Sequence, residues 1–224
     1  MMATPDRRSI KLVAVGWTAI RVLDRYIAIL PDQTYIAAAA DAVVLMNSKA
    51  SSKLMLWLDP ATKGWVSTDV SDVHGRPDSL GGLVASGDII ILITGFGQDE
   101  EAGYLGGLVR EVQDAGGTPL VIGTKPQGNG YRAESERAAS QLSALEGHAS
   151  HVVTVPFDRE HVVTMAQADM PIVDLYQLVD SMVHRAVDRT VRYIEHLNAR
   201  ELDMVQFTTA VNQYCRQFNR LLEC

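Results

Sequence analysis

Cysteine is scarce in this chain, with Cys215 and Cys224 the only two among 224 residues. Two thiols so close in sequence cannot frame a disulfide-stapled domain, so a reducing, cytoplasmic compartment fits. Basic residues are in deficit as well: 20 Lys and Arg face 27 Asp and Glu, a formal net charge of -7. An acidic chain repels a phosphate backbone, and no window concentrates cations with interleaved aromatics, which argues against nucleic acid as a partner. Long apolar runs are missing too. No stretch approaches the ~20 apolar residues of a membrane span, so there is no transmembrane segment and any membrane contact is indirect. Arg7-Arg8-Ser9-Ile10-Lys11 resembles a twin-arginine signal, yet Arg21, Asp24 and Arg25 interrupt the following apolar region too early for a cleavable leader. There is no Walker loop and no G-x-S-x-G elbow. Gly16-Trp17-Thr18-Ala19-Ile20 holds one glycine where a dinucleotide fingerprint needs three.

What the chain has in abundance is apolar side chains, 47% of the total, enough to bury one large core. Short continuous apolar runs recur at Ile10–Gly16, Tyr35–Ala38, Leu54–Leu58, Asp88–Gly95, Pro119–Thr124 and Val152–Pro156. Such runs mark strands covered on both faces of a parallel sheet, and Ile89 to Ile93 is the central one. Amphipathic segments lie between them. Val22, Leu23, Tyr26, Ile27 and Leu30 share a helical face, with Thr18 as N-cap and Pro31 as the stop. Leu105 to Ala115 and Ala133 to Leu145 have the same pattern. The alternation predicts a Rossmann-like, doubly wound α/β domain over 10–170, preceded by a polar tail at 1–9.

The segment Asp59–Gly82 is rich in Asp, Gly, Pro, Ser and Thr and reads as a ligand-facing loop. From Pro171 the periodicity changes to three- and four-residue steps, predicting a helix over 171–198 about 40 Å long. Residues 199–224 complete the chain with an amphipathic helix from about Asp203, in which Met204, Phe207, Val211, Tyr214, Phe218 and Leu221 alternate. That spacing suits either packing on the same domain or a docking helix.

In an open parallel sheet, ligands sit at the carboxyl ends of the strands. The turn after Asp88–Thr94 begins as a glycine loop, Gly95-Phe96-Gly97, and then carries Gln98, Asp99, Glu100, Glu101, Ala102 and Gly103. Bare glycines let backbone N–H groups approach phosphate, whereas acids at a helix start occupy those donors themselves. A carboxylate ~6 Å from a phosphate charge costs roughly 3 kcal/mol at an effective dielectric near 20. Trp17 and Ile20 are expected to obstruct the first loop. His148 and His151 read as exposed loop histidines, and His184 and His196 as edge residues of the long helix.

These residues resemble the FtsZ/tubulin superfamily. Ile10-Lys11-Leu12-Val13-Ala14-Val15-Gly16 looks like its first strand and loop, and Ile36-Ala37-Ala38-Ala39-Ala40-Asp41-Ala42 like its second-strand motif. The likeness continues from Asp88 through Gly103 to Thr124-Lys125-Pro126, on to Val155-Pro156-Phe157-Asp158-Arg159, and through Ala186-Val187 to Leu202-Asp203. It covers most of residues 10–205 and lies in order and spacing more than in motif identity. It implies a GTPase-type domain followed by the superfamily's central helix, without the second domain.

By the same resemblance, a vestigial nucleotide site comprises Gly16, Asp41, Gly95, Gly97, Gly103, Tyr176 and Asp180, with Asp203 as a vestigial catalytic acid. Most other family positions are altered. The first phosphate loop is Trp17, Thr18, Ala19, Ile20 and Arg21; the ribose-contacting Glu and Arg fall on Gly130 and Glu134; the guanine-contacting Asn falls on Phe157; the second catalytic acid becomes Gln206.

The leading expectation is therefore a divergent FtsZ/tubulin-like protein that assembles with itself or a protein partner, through the crevice face or the C-terminal helix. GTP binding and hydrolysis would be lost, and no cofactor is expected unless GTP or GDP still binds. The implied setting is cell division, cytoskeleton or membrane remodelling. Two alternatives stand beside it: a weak GTP-binding protein with an altered site, and a small α/β enzyme using Asp41, Asp99 or Asp158 as acid or base. A divalent cation held by Asp41, Asp99, Glu100 and Glu101, with Asp158 as a further ligand, is a separate expectation.

Overall fold

The computed structural model describes residues 8–29, 33–58, 65–69, 79–127, 132–148, 151–158, 172–200 and 202–222. Seven strands form one sheet: β1 (Ile10–Val15), β2 (Thr34–Ala39), β3 (Ser52–Leu58), β4 (Trp65–Asp69), β5 (Ile89–Gly95), β6 (Thr118–Gln127) and β7 (Val152–Asp158). Their order is β4-β3-β2-β1-β5-β6-β7, with only β3 and β4 antiparallel. Every predicted run is a strand. Strand β5 is buried at all seven positions because helices cover both faces, and β1 pairs with it from Ile10↔Ile89 to Val15↔Thr94.

Strand β4 lies inside the segment expected to be a loop. Of its residues, Trp65 to Asp69, only Trp65 and Val66 are apolar, and they sit in a Gly- and Asp-rich segment, so the apolar-run signal is missing at this sheet edge. The rest of 59–78 lies outside the described residues.

Six α-helices are described: α1 (Trp17–Ile27), α2 (Ala42–Asn47), α3 (Leu105–Asp114), α4 (Arg132–Leu145), α5 (Ile172–Asn198) and α6 (Met204–Leu222). Because side chains alternate along a strand, β1 feeds two cores. Leu12 and Ala14 join Leu23 of α1, Val187 and Ile194 of α5, and Phe207 and Phe218 of α6. Val13 and Val15 join Leu108 of α3 and Ala138 of α4 on the other face. The long helix α5 buries Val179, Val183, Ala186, Ile194 and Leu197 at the three- and four-residue steps its sequence shows, together with Val187 and Val191.

The C-terminal helix packs on its own domain. Phe207, Val211, Cys215 and Phe218 are buried, Tyr214 stacks on Tyr193 at 4.3 Å, and Met204 and Leu221 are exposed. Burial pushes the Cys215 thiol up to about 12, which makes it a packing group and not a nucleophile.

Helix α6 also completes the free edge of the sheet. Asn219 Nδ2 donates to the Val152 carbonyl at 2.9 Å, and its Oδ1 accepts from the Thr154 N–H at 2.9 Å, so one side-chain amide stands in for a neighbouring strand. Asn219→Ala should cost about 1–3 kcal/mol and speed hydrogen exchange at the Thr154 amide. Unchanged exchange there would contradict this role.

His151 departs from the expected exposed loop position. It is buried, with its ring nitrogen 2.6 Å from Asn212 Oδ1, because α6 folds back over the start of β7. His184 is half-buried against Tyr26, ring centroids 4.8 Å apart. His148 and His196 are exposed.

Candidate functional site

Strand order reverses between β1 and β5, so the crevice opens where Gly16 and Gly95 end those strands. The chain turns there from β1 into α1 with Gly16 at φ 89°, a left-handed conformation that favours glycine. Gly16, not Thr18, is the N-cap, and no side chain of its own caps the helix. The cap comes from 81 residues away. Asp99 Oδ1 accepts from the Thr18 N–H at 3.3 Å and from the Thr18 hydroxyl at 3.1 Å, while Oδ2 accepts from the Gly95 N–H at 3.3 Å.

Asp99 is thus a built-in anion at the N-terminus of α1. It fills the space as well as the donors. A Cβ placed on Gly16 would lie 2.6 Å from the Asp99 Cβ, and one on Gly95 would lie 2.9 Å from its Oδ2. Asp99 is buried, and this burial lifts its carboxyl from an ordinary 3.8 to about 6; the Thr18 and Gly95 hydrogen bonds oppose the rise and the Glu101 charge adds to it.

The remaining donors of the glycine loop are also engaged. Gly97 N–H donates to Gln141 Oε1 at 2.7 Å, and Gln141 Nε2 donates back to the Asp99 carbonyl at 3.0 Å. Phe96 N–H pairs with the Thr124 carbonyl, and the Gln98 and Asp99 N–H groups with the Gly95 carbonyl. Gly97 has φ 76°, and a Cβ there would run into the Glu134 carbonyl oxygen, so this glycine serves packing against α4. Gly97→Ala should therefore destabilise the protein by at least ~2 kcal/mol in thermal or denaturant unfolding. A loss below that would show that α4 can yield. Gly103 has open space around it.

Gln141 is a residue that sequence reasoning misses. The signal is present: it is the one polar side chain at the i+3 step between the buried Ala138 and Leu145 of α4.

Asp180 is buried and engaged too. Arg21 holds it by two hydrogen bonds, 2.7 and 3.1 Å, and Arg25 Nη1 lies 3.0 Å from Oδ2. Arg21, at a phosphate-loop position by resemblance, therefore closes on Asp180, itself expected in the vestigial nucleotide site. Its guanidinium also lies 4.7 Å from the ring centroid of Trp17, which is 52% exposed. Ile20 belongs to the core. The side chain that closes the first loop is Asp99, not Trp17 or Ile20 as expected.

The acids do not assemble into a cation site. Asp41 caps α2 by accepting the Val43 N–H at 2.7 Å, Glu101 accepts the Ala40 N–H at 3.2 Å, and Glu100 is exposed. Among the described residues no group of three or more His, Cys, Asp or Glu side chains could hold a metal ion. The side chains of Tyr176 and Asp158, and Gly130, lie outside the described residues. Phe157 is buried.

Asp203 stands at the opposite end of the sheet. Helix α5 runs from Asp180, beside the exit of β1, to Asn198, whose Nδ2 donates to the Arg8 carbonyl just before β1. Asp203 Oδ1 accepts the Gln206 N–H at 2.8 Å, and Gln206 Oε1 accepts the Asp203 N–H at 3.3 Å. The two positions of the expected catalytic pair form a reciprocal capping box that starts α6.

This architecture is the FtsZ/tubulin-like fold. FtsZ from M. jannaschii superposes with a TM-score of 0.64 at 16% identity, over 82% of this chain and 54% of that chain. TubZ from the Clostridium botulinum phage c-st gives 0.51 at 13% identity over 77% and 58%, and the TubZ protofilament of Bacteriophage PhiKZ gives 0.50 at 9% over 94% and 63%. The chain spans less than two thirds of each of these structures. The sequence matches no family model and no curated protein. Among the described residues no helix is long and apolar enough to cross a membrane.

Proposed function

We propose that this protein works by assembly, with copies of itself or with a protein partner, in a cell-division, cytoskeletal or membrane-remodelling system, and that nucleotide binding and GTP hydrolysis have been lost. One observation carries the reading: the Asp99 carboxylate occupies the helix N-terminus and the Gly95 amide that a phosphate would need. A triphosphate does not fit these residues, since it would have to displace a buried, hydrogen-bonded carboxylate and then meet the charges of Glu100 and Glu101. The engagement of Asp180 by Arg21 and Arg25 supports the same loss on the base side. The pairing of Asp203 with Gln206 as a helix cap supports the loss of hydrolysis, since the one acid of the expected catalytic pair is spent on a backbone amide.

The fold supports the assembly half of the proposal. The similar structures include an FtsZ dimer and TubZ protofilaments, and the occupation of the α1 N-terminus by Asp99 favours contact surfaces over a nucleotide as the means of action. The test is to denature freshly purified protein and quantify released nucleotide, and to follow sedimentation with and without Mg-GTP. Far less than one nucleotide per chain, with sedimentation indifferent to GTP, is expected. Near one GTP or GDP per chain, or assembly that requires GTP, would overturn the proposal.

A further inference from the structure

The chain carries a net charge of -7, yet one face of it is cationic. Helices α1, α5 and α6 cover the same side of the sheet. Arg25, Arg185, Arg189, Arg192, Arg216 and Arg220 are all exposed on them. Within these three helices no acidic side chain is exposed among the described residues. Asp24 bonds Ser48 at 2.9 Å, Asp180 is held by Arg21 and Arg25, Asp188 pairs with Arg192, and Glu195 is half-buried. Arg185, Arg189, Arg216 and Arg220 make no ion pair among the described residues.

Two further features define what this face fits. The described cations of these helices, apart from histidine, are all arginines, although the chain has five lysines. Arginine's planar fork pairs with carboxylates in two parallel hydrogen bonds, which lysine cannot do. The groove between α1 and α5 also contains a cleft of 310 Å³ lined by Val22, Ile29, Arg25, Ser181, His184 and Arg185, and by Asp180, whose carboxylate is already paired with Arg21 and Arg25. Ile29 is 60% exposed at its mouth. An apolar notch between guanidinium groups suits an aliphatic side chain flanked by carboxylates.

We propose that the outer face of α1, α5 and α6 docks an acidic protein segment that places an aliphatic anchor in the α1–α5 cleft and carboxylates on Arg185, Arg189, Arg216 and Arg220. A lipid surface fits less well. Between the arginines of α5 and α6 the exposed positions are polar, among them Ser181, Thr209, Gln213 and Gln217, and the exposed apolar residues of α6, Met204, Val205 and Leu221, stand at its two ends, whereas an interfacial helix would carry large apolar side chains along its length. The inference rests on the reading of the protein as an interaction protein and names the partner's chemistry. The two fail separately, because recovered nucleotide would leave the arginine face untouched.

The experiment selects random 12-residue peptides displayed on phage against the full chain at low salt. The expected result is enrichment of Asp and Glu around a Leu, Ile or Val, with affinity lost at least about tenfold on Arg185→Glu/Arg189→Glu and kept on Arg110→Glu of the opposite face. Circular dichroism of each variant controls for folding. Selected peptides without acidic enrichment, or with equal affinity for Arg185→Glu/Arg189→Glu, would overturn the proposal. So would the absence of any selected peptide when the same double variant abolishes binding to phosphatidylcholine–phosphatidylglycerol vesicles, or abolishes self-association in sedimentation velocity.

Discussion

Asp99→Asn is expected to gain about 2.5 kcal/mol of stability relative to the unaltered protein on going from about pH 4 to about pH 7.5. The cause is the raised carboxyl pKa, about 6 against an ordinary 3.8. A buried carboxyl prefers to stay protonated, so the folded state holds its proton more tightly than the unfolded chain does. Stability from this group is fully present below about 4 and is lost as pH rises through about 6. Asparagine does not titrate, so it escapes that loss. Its Oδ1 can still accept from Thr18, while its amide group faces the Gly95 N–H less favourably, and this fixed cost cancels when the two proteins are compared across pH. Denaturant unfolding of both proteins at five or six pH values reads the difference directly. A constant difference would mean that Asp99 is not the buried anion described above.

The second large effect comes from the other end of the crevice. Arg21→Met/Arg25→Met should destabilise the protein by about 3 kcal/mol, because it strips both cations from the buried Asp180 carboxylate. The lower end of the usual range applies, since the Arg25 side chain is 49% exposed and contributes less than its short distance suggests. Asp180→Leu added to that pair should recover most of the loss, because it removes the stranded charge itself. If the triple variant is no more stable than the double, the cost lies in the packing of the arginine stems and not in the carboxylate.

Much of the fold is legible in the sequence because its signals are local. Ile89 to Ile93 announces a strand covered on both sides, and the three- and four-residue steps after Pro171 announce a long amphipathic helix. Strand β4 is hidden because an edge strand needs only one neighbour and tolerates polar residues.

The site is legible only in part. Asp99, the first acid after the glycine loop, does occupy helix-terminal donors, but those of α1 and not of the helix that follows it. Asp99 reaches back to α1, across 81 residues, and no periodicity marks such a contact. The same holds for Arg21 on Asp180, separated by 159 residues. Asp203 and Gln206, by resemblance a surviving and a lost catalytic acid, stand three residues apart in the pattern of a capping box, a local pattern that the structure forms.

The central claim is that the protein's own carboxylate sits where a polyphosphate would. Backbone amide NMR of ¹⁵N-labelled protein, followed at Thr18 and Gly95 as Mg-GTP is added to about 1 mM, tests it at the atoms concerned. Both signals should stay in place with GTP and move when pH is lowered through about 6, as Asp99 takes up its proton. Saturable shifts of those two amides with Mg-GTP would contradict the claim.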